Sequence, residues 1–311
     1  MALPFVRAIR RAHPKDSLTV LARRGPAAVF RAEGSADRVR VASSLPGDVA
    51  GLLAGHFREA LLLPNSFRSA LLPFLAAIPE RVGYATDGRG PLLTHALPPP
   101  DRTGHQLRDY DALLRSRAIA PDEEPPRLPI PAEAAERAGR AAAAVGWSPA
   151  QRPVLLAPGA AFGGTKRWPP ERFGALADRL REKVEACGVV VGPAEIDVGR
   201  RVAAAARRPL PVVGSELDPV DLAALLSRSR LLIGNDSGPM HLAAAVGTPV
   251  VAFFGPTDPG RTGPAGAPAR VLDRYVFCSP CFLRKCPYGH ECMREITVEA
   301  ALRAAEELLG T

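Results

Sequence analysis

Residues 233–259 read IGNDSGPMHLAAAVGTPVVAFFGPTDP, and this stretch decides the fold. It contains two apolar runs that predict buried strands, each followed by a polar loop. The first strand ends at Asp236, Ser237 and Gly238 form the predicted turn, and a helix begins at Pro239. The unpaired N–H groups and the positive dipole end at the start of such a helix attract an anion. An ordinary turn with Asp236 or Ser237 as the helix cap also explains this loop when it is taken alone.

Two further residues extend the candidate anion site. His241 lies one turn into the predicted helix, where its ring can donate a hydrogen bond to a phosphate or sugar oxygen. Thr257 belongs to the loop at residues 255–259, which also leaves the carboxyl end of a strand. Two such loops side by side predict a bound ligand.

A glycine-rich loop forms the second informative stretch, residues 157–173, which read APGAAFGGTKRWPPERF. Gly159, Gly163 and Gly164 let a ligand approach the backbone, and Lys166 can neutralise a diphosphate as negative charge develops on it. The alternative is a surface lysine before a helix, although lysine is scarce in this chain. The spacing matches neither a P-loop nor the GxGxxG dinucleotide pattern.

Strand-like and helix-like runs alternate along the chain, which predicts parallel sheets covered by helices. Five prolines at residues 119–132 prevent a continuous helix or strand and predict a linker. We therefore expect one domain over residues 1–146 and a second over residues 147–311. The second is predicted to be doubly wound, with a cysteine-rich loop at residues 278–292 and a closing helix over Thr297–Leu309. The expected site is a cleft between the two halves.

The individual elements follow from the same patterns. The predicted helices cover residues 2–12, 67–77, 106–117, 132–145, 170–186, 195–206, 218–228 and 238–247. The predicted strands cover residues 17–22, 37–42, 60–63, 81–84, 153–157, 188–192, 211–213, 230–233 and 249–253. An α/β half normally begins with a buried strand, yet here a helix follows Met1 at once. We expect that strand to precede Met1 in a longer natural chain.

Composition limits the classes of function. The 311 residues are 47% hydrophobic, and no run reaches the roughly 18–20 apolar residues of a membrane-spanning helix. The net charge is +8, carried almost entirely by arginine, which suits anionic substrates or an acidic membrane surface. GC-rich coding bias explains the arginines as well. The basic residues are scattered and not interleaved with aromatic residues, which argues against nucleic acid. We recognise no secretory leader and expect a cytoplasmic protein.

Four cysteines form a C-x2-C-x4-C-x5-C cluster in the sequence: Cys278, Cys281, Cys286 and Cys292. Such thiols can hold a structural Zn or an iron–sulfur cluster, with His290 as a further ligand. The alternative is a compact loop with unligated thiols. Cys187, by contrast, is predicted to lie alone in a helix.

The two loop stretches, together with residues 63–84, LPNSFRSALLPFLAAIPERVGY, resemble the bacterial ADP-heptose:lipopolysaccharide heptosyltransferases of glycosyltransferase family 9. The similarity is greatest to the heptosyltransferase II branch. It implies an α/β fold of the GT-B class, in which two Rossmann-like, doubly wound domains face a cleft. The first domain would bind the acceptor, and the second would bind the nucleotide sugar.

The resemblance also implies roles for individual residues. In the family these loops hold the nucleotide diphosphate, so Asp236, Ser237, Gly238 and His241 would contact the diphosphate or heptose. Thr257 belongs to the neighbouring loop of the same site. Lys166 would steady the leaving group. Leu217 would lie under the adenine, and Glu195 or Asp197 near the ribose.

The implied reaction is an inverting transfer of heptose from ADP-L-glycero-D-manno-heptose to the lipopolysaccharide inner core, a Kdo/heptose–lipid A acceptor at the inner membrane face. No metal or other cofactor is required if Lys166 and the helix start stabilise the diphosphate. The family's general base is an Asp in a Gly-Asp pair after the first strand, a position that would fall upstream of Met1. The catalytic base is therefore unassigned.

Two alternatives remain open. A chain without its base would be a nucleotide-sugar-binding protein that lacks transferase activity. The second alternative is a metal-dependent regulatory module built on the cysteine loop, which would require stoichiometric metal.

Overall fold

The computed structural model describes residues 1–310, and its contacts divide the chain into two units, Ala2–Glu123 and the residues from Glu124 onward. The sequence placed the boundary after residue 146. In the structure the helix Ala132–Ala144 packs against the helix Pro219–Ser227, so it lies with the second unit. Residues 119–131 form no helix or strand, as the prolines predict.

The first unit alternates short strands and helices. Its helices are α1 (Leu3–Ala12), α2 (Arg24–Glu33), α3 (Leu45–Leu53), α4 (Phe67–Leu75) and α5 (Gln106–Arg115). Its strands are β1 (Thr19–Ala22), β2 (Arg38–Val41), β3 (Glu59–Leu61), β4 (Glu80–Tyr84) and β5 (His95–Leu97). β1 and β2 form one parallel sheet, and β3, β4 and β5 form another.

Apolar side chains from α1, β4 and α5 form the core of this unit. Phe5, Val82 and Leu113 belong to one buried cluster, and the Phe5 ring meets Tyr110 edge to face at 6.2 Å. The buried Arg89 donates hydrogen bonds to the carbonyls of Tyr84 and Pro64. Arg89 thereby fixes the loop that precedes α4.

The second unit contains the larger sheet. Its helices are α6 (Ala132–Ala144), α7 (Pro170–Leu180), α8 (Ile196–Ala205), α9 (Pro219–Ser227), α10 (Gly238–Ala245), α11 (Pro259–Thr262), α12 (Glu291–Arg294) and α13 (Val298–Leu309). Its strands are β6 (Val154–Ala157), β7 (Cys187–Val190), β8 (Val212–Val213), β9 (Leu231–Asn235), β10 (Val250–Phe254) and β11 (Ala269–Asp273). All strand pairs are parallel, in the order β11-β10-β9-β6-β7-β8.

The chain order reverses around β6, which confirms the predicted doubly wound half. From β6 the chain proceeds to β7 and β8 on one side, and then crosses back to β9, β10 and β11 on the other. The loops after β6 and β9 therefore diverge, and this switch point is where open α/β sheets bind ligands. Ala157 lies opposite Gly234, and a Cβ on Gly234 would come within 2.7 Å of the Ala157 carbonyl oxygen. Gly234 thus allows β6 and β9 to lie close together.

An aromatic cluster supports the sheet beside this edge. Trp168 is fully buried, and its ring centroid lies 4.9 Å from that of Phe173 and 4.6 Å from that of Phe253. The Trp168 indole N–H donates to the carbonyl of Ile296 at 2.9 Å. α13 packs nearby, capped as predicted by the Thr297 hydroxyl, which accepts from the Ala300 N–H.

Two local predictions were wrong. The helix predicted over residues 170–186 ends at Leu180, and Cys187 is the first residue of β7 instead of a helical residue. Cys187 pairs with Val154 in the sheet, and burial raises the pKa of its thiol to about 12.

Six short elements were missed: α2, α3, α11, α12, β5 and β11. Pro26 lies in the first turn of α2, where a helix tolerates proline. β5 has only three residues, and β11 is a half-exposed edge strand, so neither shows the long apolar run of a buried strand.

Within residues 1–310, none of the helices combines the length and the hydrophobicity needed to span a bilayer.

Candidate functional site

Three predicted residues meet at the switch point. The Asp236 carboxylate follows β9, and its Oδ2 accepts a hydrogen bond from Lys166 Nζ at 2.5 Å. The same oxygen accepts from the Thr257 hydroxyl at 2.7 Å. Asp236 is buried and Lys166 is only 13% exposed, so this ion pair is shielded from bulk water. We call these three residues the switch-point cluster.

The start of α10 lies next to this cluster. Ser237 is the residue that caps the helix, and Gly238 is the first helical residue. The Ser237 side chain does not accept a hydrogen bond from the helix, and its buried hydroxyl has no partner among the described residues. A buried polar atom without a partner is costly in a folded protein, whereas a ligand oxygen would satisfy it. The geometry therefore favours an anion at this helix start over a self-capped turn.

Asn235 fixes the two loops relative to each other. It is fully buried at the end of β9, where its amide donates to the Pro158 carbonyl at 2.8 Å and accepts from the Trp168 N–H at 3.0 Å. These bonds hold both ends of the glycine-rich loop. Sequence reasoning did not single out Asn235, and its only signal was its place between the strand and Asp236.

Glu195 lies against the glycine-rich loop. A Cβ on Gly159 would lie 2.0 Å from Glu195 Oε2, so only glycine leaves room for that carboxylate. Glu195 Oε1 is buried without a hydrogen-bond partner among the described residues, and Arg167 Nη2 is 3.9 Å away. An acceptor held in this way suits a ligand hydroxyl group.

The remaining predicted residues occupy the same edge of the sheet or the adjoining helices. His241 is half-buried in the second turn of α10, and Leu217 is half-buried in the loop after β8. Asp197 is exposed in the first turn of α8. The structure brings Lys166, Asp236 and Thr257 into direct contact. The roles of Leu217 and Asp197 remain expectations from the resemblance.

The cysteine-rich segment is attached to both loops of the site. The Thr165 hydroxyl donates to the Leu283 carbonyl at 2.8 Å, and the Phe282 N–H donates to the Pro256 carbonyl at 2.8 Å. The His290 ring also bonds the Thr165 carbonyl. Gly163 adopts a φ of 150° there, and its α-carbon faces the Arg284 carbonyl. The segment thus fixes the loops that carry Lys166 and Thr257.

The Phe162 ring contacts two cations, Lys166 and Arg284. The Lys166 ammonium lies 5.0 Å from the centroid of the Phe162 ring, and the Arg284 guanidinium lies 5.1 Å from it. Both distances are typical of cation–π contacts. Sequence reasoning missed Phe162 and Arg284, because they are separated by more than a hundred residues in the chain.

The four cysteines and His290 line one cavity, but the structure does not support a metal site there. No group of three or more His, Cys, Asp or Glu side chains within residues 1–310 is arranged to hold a metal ion. Cys292 is buried at the start of α12 against Gly255, and burial raises the pKa of its thiol to about 11.

Comparisons with known proteins agree with this geometry. The sequence profile of glycosyltransferase family 9 (heptosyltransferase) matches residues 50–291. Lipooligosaccharide heptosyltransferase 2 of Haemophilus influenzae is 31% identical over 280 residues, which cover 83% of this chain and 78% of that protein.

Two solved structures share the fold over 99% of this chain. The E. coli ADP-heptose lps heptosyltransferase II matches with a TM-score of 0.81 at 22% identity, and 94% of that chain is covered. A glycosyl transferase family 9 protein from Veillonella parvula matches with a TM-score of 0.83 at 24% identity, and 92% of that chain is covered. These matches confirm the predicted GT-B class.

Proposed function

Because the chain belongs to glycosyltransferase family 9, we propose that it transfers heptose from ADP-L-glycero-D-manno-heptose to the inner core of lipopolysaccharide, as a heptosyltransferase of type II. The observation that carries the proposal is the switch-point cluster, in which Lys166, Asp236 and Thr257 meet beside the start of α10. The residues from Glu124 onward would bind the donor, and the first unit would bind the acceptor.

The start of α10 is suited to bind the donor diphosphate. Its first N–H groups lack partners within the helix, and the helix dipole adds positive potential at the same point. The unpaired Ser237 hydroxyl can donate to a phosphate oxygen, and Gly238 presents no side chain to obstruct it. His241, one turn further, is placed for a phosphate or heptose oxygen.

Lys166 would stabilise the leaving group. An ammonium has three donors, of which one goes to Asp236, so the others remain for the diphosphate. As the bond from the anomeric carbon to the phosphate oxygen breaks, negative charge accumulates on ADP, and a fixed cation lowers the energy of that state. Asp236 orients the ammonium, and the Thr257 hydroxyl orients Asp236. This chemistry needs no metal.

Glu195 and Leu217 would bind the nucleoside. Glu195 Oε1, which accepts no hydrogen bond among the described residues, can accept one from a ribose hydroxyl, and Leu217 offers an apolar surface for the adenine ring. Asp197 is the alternative ribose ligand, but its exposure leaves Glu195 better placed.

The reaction also needs a general base, which takes the proton of the attacking acceptor hydroxyl while ADP departs from the opposite face of the sugar. Asp37 is unsuited to this role, because the Leu18 N–H and Arg10 Nη2 both donate to its carboxylate. These bonds hold the pKa of Asp37 below its usual range. We assign no base within residues 1–310.

The acceptor would be a Kdo/heptose–lipid A molecule, which places the protein at the cytoplasmic face of the inner membrane as a peripheral protein. The +8 net charge suits the phosphates and carboxylates of such an acceptor.

The test is transfer itself. The protein is incubated with ADP-heptose and a heptosylated Kdo–lipid A acceptor, and the product is weighed by mass spectrometry. We expect a gain of one heptose per acceptor with equimolar ADP. Donor binding without a mass gain would instead identify a nucleotide-sugar-binding protein that lacks transferase activity.

A further inference from the structure

Exposed aromatic side chains are concentrated in one part of the cysteine-rich segment. Phe277 is 78% exposed and Tyr275 66% exposed, and Phe282, Leu283 and Tyr288 are also exposed. Single exposed apolar residues are normal on a protein surface, but a group of this kind marks an interaction site. We call residues 274–288 the aromatic–basic face.

Contacts with the rest of the unit hold this face in place. The rings of Phe277 and Tyr288 pack edge to face at a centroid distance of 4.9 Å. The backbone of Phe282 is bonded to Pro256, and that of Leu283 to Thr165. The aromatic rings are therefore presented to solvent by a fixed backbone.

The charged residues of this sequence range are all basic, and the carboxylates of Asp273 and Asp258 lie near Tyr275 at one end of it. Residues 274–290 contain Arg274, Arg284 and Lys285 but no Asp or Glu. Four of these seventeen residues are aromatic, compared with 5% of the whole chain. Lysine is scarce elsewhere in the sequence, so its presence here adds to the contrast.

We propose that the aromatic–basic face docks onto an anionic phospholipid bilayer. Aromatic rings favour the boundary between headgroups and acyl chains, and arginine and lysine beside them favour anionic headgroups. The cations make a lipid surface a better match than an uncharged apolar partner. The inference rests on the proposed function in one respect, because a lipid-linked acceptor is what makes membrane docking useful.

Docking would place the donor loops close to the bilayer. The same segment that carries the exposed rings is bonded to Thr165, next to Lys166, and to Pro256, next to Thr257. The aromatic–basic face would thus hold the donor site near the surface from which the acceptor is drawn.

Co-sedimentation of the full chain with phosphatidylcholine vesicles, with and without 30 mol% phosphatidylglycerol, tests the proposal. We expect binding that requires the anionic lipid and weakens as salt is raised. Each cation near such a surface contributes about fivefold, so the double variant Arg274→Glu/Lys285→Glu should bind at least about 25-fold more weakly. The double variant Tyr275→Ser/Phe277→Ser should bind at least about tenfold more weakly, since it loses two apolar rings.

Matched controls separate this face from the rest of the surface. Arg140→Glu changes an exposed arginine of α6, and Phe67→Ser changes an exposed ring of α4. Both should bind vesicles like the wild type, and thermal unfolding should show that all variants are folded. Equal binding by all variants, or no preference for phosphatidylglycerol, would overturn the proposal. A wild-type protein that self-associates but does not bind vesicles would also overturn the proposal, if the Tyr275→Ser/Phe277→Ser variant no longer self-associates. The face would then join two copies of the chain.

Transfer to a deacylated, water-soluble acceptor separates failure of docking from failure of the proposed function. Both face variants should turn over this acceptor at the wild-type rate while losing vesicle binding. Vesicle binding by a protein with no transfer to any acceptor would refute the proposed function and leave docking standing. Transfer by a protein that does not bind vesicles would refute docking and leave the proposed function standing.

Discussion

At the scale of single residues, the site depends on Asp236, which holds a cation and a hydroxyl on one oxygen. Reasoning from strand ends predicted that Asp236 and Thr257 would lie near each other. It did not predict the bond between Asp236 and Lys166, because nothing in the sequence pairs residues seventy positions apart. The unpaired oxygens of Ser237 and Glu195 also became visible only in three dimensions.

The role of Thr257 is tested by Thr257→Val, which keeps the shape and removes the hydroxyl. The buried Asp236 carboxylate then loses the hydrogen bond that the Thr257 hydroxyl donates, and we expect kcat/KM for ADP-heptose to fall about tenfold. Thr248→Val is the matched control, because the buried Thr248 hydroxyl also donates at 2.7 Å, to the Leu226 carbonyl, but lies before β10 at the other end of that strand. Steady-state kinetics would contradict the account if the two variants behaved alike.

The thiols should differ in reactivity. Burial raises the pKa of Cys187 to about 12 and that of Cys292 to about 11, so each is almost entirely protonated at pH 8, and only the thiolate is alkylated. We expect iodoacetamide to label the half-buried Cys281 and Cys286 before either of them. Timed alkylation of the native protein with mass spectrometry measures the order. Early labelling of Cys187 would mean that β7 is not buried as described.

At the scale of elements, apolar runs were a good guide to the central strands. β6, β9 and β10 are buried on both faces, so their sequences are continuously apolar and easily recognised. The pattern failed where packing decides the outcome. Residues 181–186 continue a helical pattern, yet the helix ends at Leu180 and the chain turns. β7 begins at Cys187, where pairing with β6 in the sheet takes precedence over the helical pattern. β11, at the edge of the sheet, lacked the signal altogether.

The glycine-rich loop offers a test with an internal control. Gly159→Ala would push a Cβ into the Glu195 carboxylate, whereas Gly164→Ala would meet nothing within 4 Å. The Glu195 side chain can swing away, so stability should change little. If Glu195 binds the donor ribose, KM for ADP-heptose should rise several-fold in Gly159→Ala and stay near the wild-type value in Gly164→Ala. Equal KM values would remove Glu195 from the site.

Asn235 tests how the two loops are held. Asn235→Ala removes bonds to Pro158 and Trp168 and leaves buried backbone groups unpaired, which costs about 2–4 kcal/mol of unfolding free energy. Urea denaturation measures this loss. Gln151→Ala, which removes a single bond from an exposed turn, should cost less than about 1 kcal/mol. If Asn235→Ala lowered the unfolding free energy as little as Gln151→Ala does, the loops would be fixed by other contacts.

At the scale of the whole molecule, the sequence predicted two α/β units, a proline-rich linker and a site in a cleft between the halves, with the donor loops on the second unit. The order of strands in the six-stranded sheet bears out the doubly wound prediction. The attachment of the cysteine-rich segment to the donor loops was not predictable, because its bonds join residues more than a hundred positions apart. That attachment makes the segment a support for the donor loops that also presents an aromatic surface.

The most direct test of the central claim is the initial rate of ADP release from ADP-heptose in the presence of acceptor, for the wild type, Lys166→Ala and Lys183→Ala. Lys166 supplies the fixed charge at the leaving group, so its loss should lower kcat by about 10²–10³-fold. Lys183 forms an ion pair with Glu306 and lies just before β7, at the amino ends of the parallel strands and away from the donor loops, so its variant should retain the wild-type rate. A Lys166→Ala enzyme as fast as the wild type would contradict the assignment of the switch-point cluster as the donor site.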